Sequence, residues 1–224
     1  MFARQPLLAG RLSLQPVNAD WPAWLLRSTQ AMAAANQNPV LAVLPDDGSL
    51  VVEQKYPSDR LRFCNGDWRG FYHYHQAPGR PEGEHGHFHF FVRTGDTATA
   101  ESTWSHLAAL SMDGFGQPMR WFTVNRWVTD GPWLTAEQLI PLLDRLPDPD
   151  DLSTLEQWLV AMLGLYQESL AELLRVRDRQ LSHINAVKDD KNILENRDVY
   201  QLSSSPIDLL ARLKQLCDPE GQTL

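Results

Sequence analysis

Two cysteines in 224 residues, Cys64 and Cys217, stand alone at no metal-motif spacing, so neither a zinc ribbon nor a Cys-x-x-Cys redox pair can be built from them. Their scarcity suits a reducing compartment. No run of eighteen apolar residues occurs, and the first residues hold too short an apolar stretch for a signal peptide, so the expectation is a soluble, cytoplasmic chain with no membrane partner. Basic residues are outnumbered, 20 Lys and Arg against 28 Asp and Glu, and form no stripe. Nucleic-acid affinity rests on clustered cations that release counterions, so a net charge of −8 argues against that partner. Also missing are Gly-x-Gly-x-x-Gly before a helix, a Gly-Lys-Ser/Thr phosphate loop, a Gly-x-Ser-x-Gly elbow and a His-Glu-x-x-His helix. Dinucleotide, nucleoside-triphosphate, serine-hydrolase and zincin chemistries lose their support.

What remains is a chain able to bury a sizeable core, with 43% hydrophobic residues and eight tryptophans that need covering. Asp20 is placed to cap a helix from Trp21 toward Ala35, stopped by Asn36-Gln37-Asn38-Pro39. From about Val40 to Thr129, short apolar and aromatic runs alternate with turn clusters, the pattern of an antiparallel sheet, with strands expected near 50–55, 69–75, 85–93, 103–112 and 118–128. Beyond it the pattern turns helical. Thr135-Ala136-Glu137-Gln138 and Ser153-Thr154-Leu155-Glu156 read as capping boxes, and Ser205-Pro206-Ile207-Asp208 reads as a helix start. The expected fold is α+β: about five antiparallel strands covered by an N-terminal helix and C-terminal helices, with residues 1–150 as the α+β domain and 151–224 as a helical segment. The apolar stripe of the 152–182 helix must pack on the sheet or on a second copy of the chain.

Within the sheet region lie most of the histidines. His73 and His75 alternate in Phe71-Tyr72-His73-Tyr74-His75, and His85, His87 and His89 alternate in Glu84-His85-Gly86-His87-Phe88-His89-Phe90-Phe91, with His106 on the next strand. Alternate side chains of a strand share a face, so these imidazoles are expected to point into one volume if the strands pair in the right register. Imidazole binds transition metals and titrates near neutral pH. The six are therefore candidate ligands for iron, copper or zinc, with three or four taking part. Glu84 joins them as ligand or supporting acceptor only if a bend redirects it. His87, Glu84 and Asn125 are the candidate catalytic residues, Asn125 orienting a substrate or a metal-bound water, and the forked donors of Arg93 and Arg126 are candidates for binding a small-molecule carboxylate or phosphate.

Two resemblances bear on this. His85-Gly86-His87-Phe88-His89-Phe90-Phe91 resembles the histidine-triad motif of nucleotide hydrolases and transferases, which implies a nucleophilic His87 attacking an α-phosphate, supported by His85 and His89. Over most of its length, through Glu84 to His89, His106-Leu107 and Met119-Arg120-Trp121-Phe122-Thr123-Val124-Asn125-Arg126-Trp127-Val128-Thr129, the chain resembles an uncharacterised family of bacterial proteins classed as a domain of unknown function, which implies no activity. The leading reading is a metal-binding protein acting as a metal-dependent oxidoreductase or hydrolase. The alternatives are a histidine-triad nucleotide hydrolase or phosphotransferase and a non-enzymatic metal-binding or assembly protein.

Overall fold

The computed structural model describes residues 20–63, 66–74, 80–94, 103–188 and 192–217. Helix α1 (Trp21–Ala34) begins where the Asp20 carboxylate accepts the Ala23 N–H. Five strands follow, β1 (Tyr56–Phe63), β2 (Trp68–His73), β3 (Glu84–Thr94), β4 (Thr103–Asp113) and β5 (Pro118–Val124). Helices α2 (Arg126–Thr129), α3 (Ala136–Leu143), α4 (Thr154–Leu165) and α5 (Gln167–Lys188) come next, then β6 (Gln201–Pro206) and α6 (Leu209–Cys217). The strands form one antiparallel sheet in the order β1-β2-β3-β4-β5-β6, so each strand lies beside its predecessor. The fold is α+β, the sheet packed against α1 and the C-terminal helices.

Strand alternation sorts the side chains into two faces. One carries Trp68, Tyr72, Phe88, Phe90, Leu110 and Trp121 into the main core, shared with α1 and α4. Helix α4 is apolar around its whole circumference and buried from Trp158 to Leu165, as a helix sandwiched between other elements must be. The opposite face carries the histidines.

Both capping boxes, at Thr135 and Ser153, form as expected. Four boundaries differ from the sequence expectations. Residues 50–55 form turns and the first strand runs over 56–63 instead. The last strand of the sheet region ends at Val124, because Asn125 caps α2. The single helix expected over 152–182 is two, α4 and α5, parted at Tyr166, whose φ of −112° and ψ of 18° leave helical geometry. Ser205 and Pro206 end β6, a sheet edge where proline is tolerated, and α6 starts three residues later with Asp208 accepting from Ala211 N–H. That sixth strand was hidden in a polar Gln-Leu-Ser-Ser-Ser-Pro run. Among the described residues, no helix is long and apolar enough to cross a membrane.

Candidate metal centre

Register decides whether the histidines meet, and it brings them together. His73 on β2 stands directly opposite His87 on β3, which stands opposite Ser111 on β4, which stands opposite Arg120 on β5. The adjacent row on the same face runs Phe71, His89, Ala109, Phe122. His73, His87 and His89 are thus neighbours on one face, only 9%, 3% and 1% exposed, and each turns one ring nitrogen toward the others, all three within 4.8 Å of one another. His73 Nε2 lies 2.8 Å from His87 Nε2 and 3.1 Å from His89 Nε2. The three rings meet edge to face with centroids 4.6 to 4.9 Å apart. Metal–imidazole bonds of about 2.0–2.1 Å put neighbouring ligand nitrogens roughly 2.9–3.4 Å apart. The two contacts of His73 lie close to that spacing, and the trio could hold a metal ion.

Two irregularities in the strands determine which other groups join. Between Glu84 and Gly86, β3 has one residue more than β4 opposite it, a bulge that breaks the parity of the strand. His85 is thereby turned away from His87 and His89, and its Nδ1 is hydrogen-bonded instead to the Tyr72 hydroxyl at 2.7 Å, with the two rings stacked. The expectation that His85, His87 and His89 share a face fails for this reason. The same bulge turns Glu84 onto the histidine face, where its Oε1 accepts from His87 Nδ1–H at 3.0 Å and its Oε2 from the Ser111 hydroxyl at 2.5 Å. A second bulge, between Phe90 and Phe91, makes Leu107 the extra residue of β4 and brings His106 onto the histidine face. His106 Nε2 is 2.9 Å from His89 Nδ1.

These supporting contacts fix protons. A carboxylate can only accept, so His87 carries its proton on Nδ1 and presents an Nε2 lone pair to the trio. Burial works to raise the Glu84 carboxyl, but hydrogen bonds from His87 and Ser111, with the charge of Arg120, outweigh it and hold the group below the usual carboxylate range. Arg120 Nη2 stands 3.8 Å from Glu84 Oε2. His106 is pushed down to about 3, first by burial and then by the charge of Arg177, so it stays neutral beside His89.

Gly86 has a steric role beside the bulge. A Cβ there would sit 2.5 Å from the Tyr72 hydroxyl and 2.7 Å from the His73 carbonyl oxygen. The phenol passes over this glycine to reach His85. Gly86→Ala is expected to cost about 1–3 kcal/mol by overpacking a strand pair that cannot separate freely, seen as a lower urea midpoint with an unchanged slope.

The remaining sequence candidates lie elsewhere. His75 lies outside the described residues. Asn125, expected on a strand face beside the histidines, caps α2: its carbonyl oxygen accepts from Arg126 N–H and its amide donates to the Ile193 carbonyl at 2.8 Å. Arg126 is ion-paired with Glu195, and Arg93 donates to the Gly66 carbonyl and faces Asp67. Sequence reasoning missed Ser111 and Arg120, which pairing order reveals only once the register is known.

No curated protein and no solved structure matches the chain. The model of one family, a domain of unknown function designated DUF6969, matches residues 21–207, a span that contains the whole sheet and the histidine centre. The chain belongs to the DUF6969 family.

Proposed function

We propose that the protein is a metalloenzyme that binds one transition-metal ion, iron, copper or zinc, through His73, His87 and His89 and acts on a small molecule. The observation that carries this reading is the convergence of three buried Nε2 atoms, with Glu84 behind His87 and His106 behind His89. Three neutral imidazoles suit all three metals, and a metal held this way keeps a position for substrate or water and supplies Lewis-acid or oxygen chemistry there. Glu84 orients the His87 ring and balances part of the metal's charge. Ser111 and Arg120 in turn hold the carboxylate. The histidine-triad alternative draws on His85 beside His87, and the bulge at His85 separates them.

Elemental analysis of protein purified without a metal-affinity column, before and after anaerobic loading with Fe(II), Cu(II) or Zn(II), tests this. About one equivalent of a single metal in the wild type, missing from a His73→Ala variant with unchanged circular dichroism, is the expected result. Folded wild-type protein that takes up none of the three overturns it.

A further inference from the structure

Two phenylalanines beside the trio, Phe71 and Phe91, carry cations on their rings. Phe71 touches His73 and His89 at 5.4 and 5.3 Å, and on its ring lie Lys55 Nζ at 4.8 Å and Arg60 Cζ at 5.3 Å. Phe91, stacked on Phe71 at 5.5 Å, carries the Arg69 guanidinium at 5.0 Å, and Trp104 also lies against that guanidinium, at 4.5 Å. In a chain of net charge −8 this concentration of positive charge is locally out of balance. Arg62 and Arg69 are direct cross-strand partners, a like-charge juxtaposition that costs stability. Among the described residues, none of Lys55, Arg60, Arg62 and Arg69 has a carboxylate within ion-pairing distance. Among the described residues, the buried Arg69 Nε has no acceptor, a donor left unsatisfied at a cost normally avoided.

The backbone contributes too. β1 slips register between Tyr56 and Leu61, and within that irregularity Arg60 takes a φ of +67°, a left-handed conformation that non-glycine residues rarely adopt. Bulges of this kind re-aim side chains beside functional sites, and here the result is a guanidinium over Phe71. Burial, with Arg60 and Arg62 adding repulsion, pushes Arg69 down to about 10, and burial with the charges of Arg60 and Arg69 lowers Lys55.

From this geometry we infer that Arg69, with Lys55 and Arg60, binds the carboxylate or phosphate group of a small anionic substrate, one aromatic ring away from the histidine centre. An oxyanion there pairs with the outer nitrogens of the Arg69 guanidinium, relieves the repulsion among the cations, and meets a planar fork already held against two aromatic rings. Only the far end of the molecule depends on the metal centre proposed above; the cationic patch stands without it.

Calorimetric titration of inorganic phosphate and of succinate into metal-free and metal-loaded protein tests the assignment. The wild type is expected to bind at least one of them saturably. Arg69→Met, which keeps the length of the side chain, is expected to weaken that binding about tenfold or more while leaving metal content unchanged. The control Arg175→Met, on an exposed arginine of α5 paired with Glu137, leaves it unaltered. Lys55→Met, at an exposed position, is expected to weaken binding as well and serves if Arg69→Met does not fold. A preference for phosphate over succinate identifies a phosphoryl substrate, and the reverse a carboxylate. Saturable binding by neither anion, or equal binding by wild type and the folded variants, overturns the inference. If the protein takes up no metal yet anion binding still depends on Arg69, the metal reading fails and the anion site stands; if metal binds and Arg69 makes no difference, the anion site alone falls.

Discussion

Replacing His87 with alanine is expected to lower metal affinity by at least about a thousandfold, well beyond the roughly 10–100-fold that follows loss of a group behind a ligand. His87 sits at the centre of the network, its Nε2 2.8 Å from His73 Nε2 and its Nδ1 held by Glu84. Its removal takes away one of the three proposed ligands and, among the described residues, leaves the buried carboxylate with Ser111 and the more distant Arg120. Glu84→Gln leaves all three imidazoles in place. The neutral amide holds His87 less firmly and balances no charge, so the affinity should fall within the smaller 10–100-fold range. Competition against a chelator of known affinity, with circular dichroism to verify folding, separates the two. Equal affinities for wild type and His87→Ala would remove His87 from the ligand set; a Glu84→Gln loss as large as that of His87→Ala would make the carboxylate a ligand itself.

The largest effect on stability is expected at Trp121. Its indole lies 1% exposed on the core face of β5, 5.8 Å from the ring of Phe90 and 6.3 Å from that of Tyr166. Trp121→Ala empties the junction of sheet and helices and should cost about 3–5 kcal/mol. At a few degrees per kcal/mol for a chain of this size, that is a fall in Tm on the order of 10 °C. Among the described residues, the buried indole N–H has no acceptor. Trp121→Phe removes that unsatisfied donor while keeping most of the apolar volume, so it should cost far less than the alanine variant. A calorimetric scan of both variants checks this; similar losses in the two would mean that the indole N–H has a partner.

The antiparallel sheet, its covering helix and the two capping boxes were legible because each depends on local rules: alternation, turn residues, and a side-chain oxygen three residues before an acceptor. His73, His87 and His89 were legible for the same reason, since they lie on regular stretches of β2 and β3 where parity holds. Membership at the edges of the site was not. One inserted residue at His85 sends out a histidine that alternation had placed inside and brings in Glu84, while another at Leu107 sets the face of His106, which the sequence had already named as a candidate. A bulge leaves no fixed mark in composition, although Gly86 beside the first one is a hint. Asn125 was misplaced because the hydrophobic pattern runs past the point where its side chain caps α2. Ser111, Arg120 and the cations around Phe71 and Phe91 become neighbours of the histidines only through cross-strand pairing, which no single segment encodes.

The last strand of the sheet comes from far along the chain. β6 completes the edge of β5 only after α2, α3, α4 and α5 have intervened. A ribosome adding about 5–20 residues per second therefore leaves β5 as an open edge for on the order of ten seconds after it emerges. During that interval the backbone donors and acceptors of residues 118–124 are free to pair with another nascent chain. The polar Ser203-Ser204-Ser205 segment that finally covers them makes little aggregation hazard of its own. Truncations that stop short of residue 201 should accordingly be recovered as aggregates, even though they retain every histidine of the site.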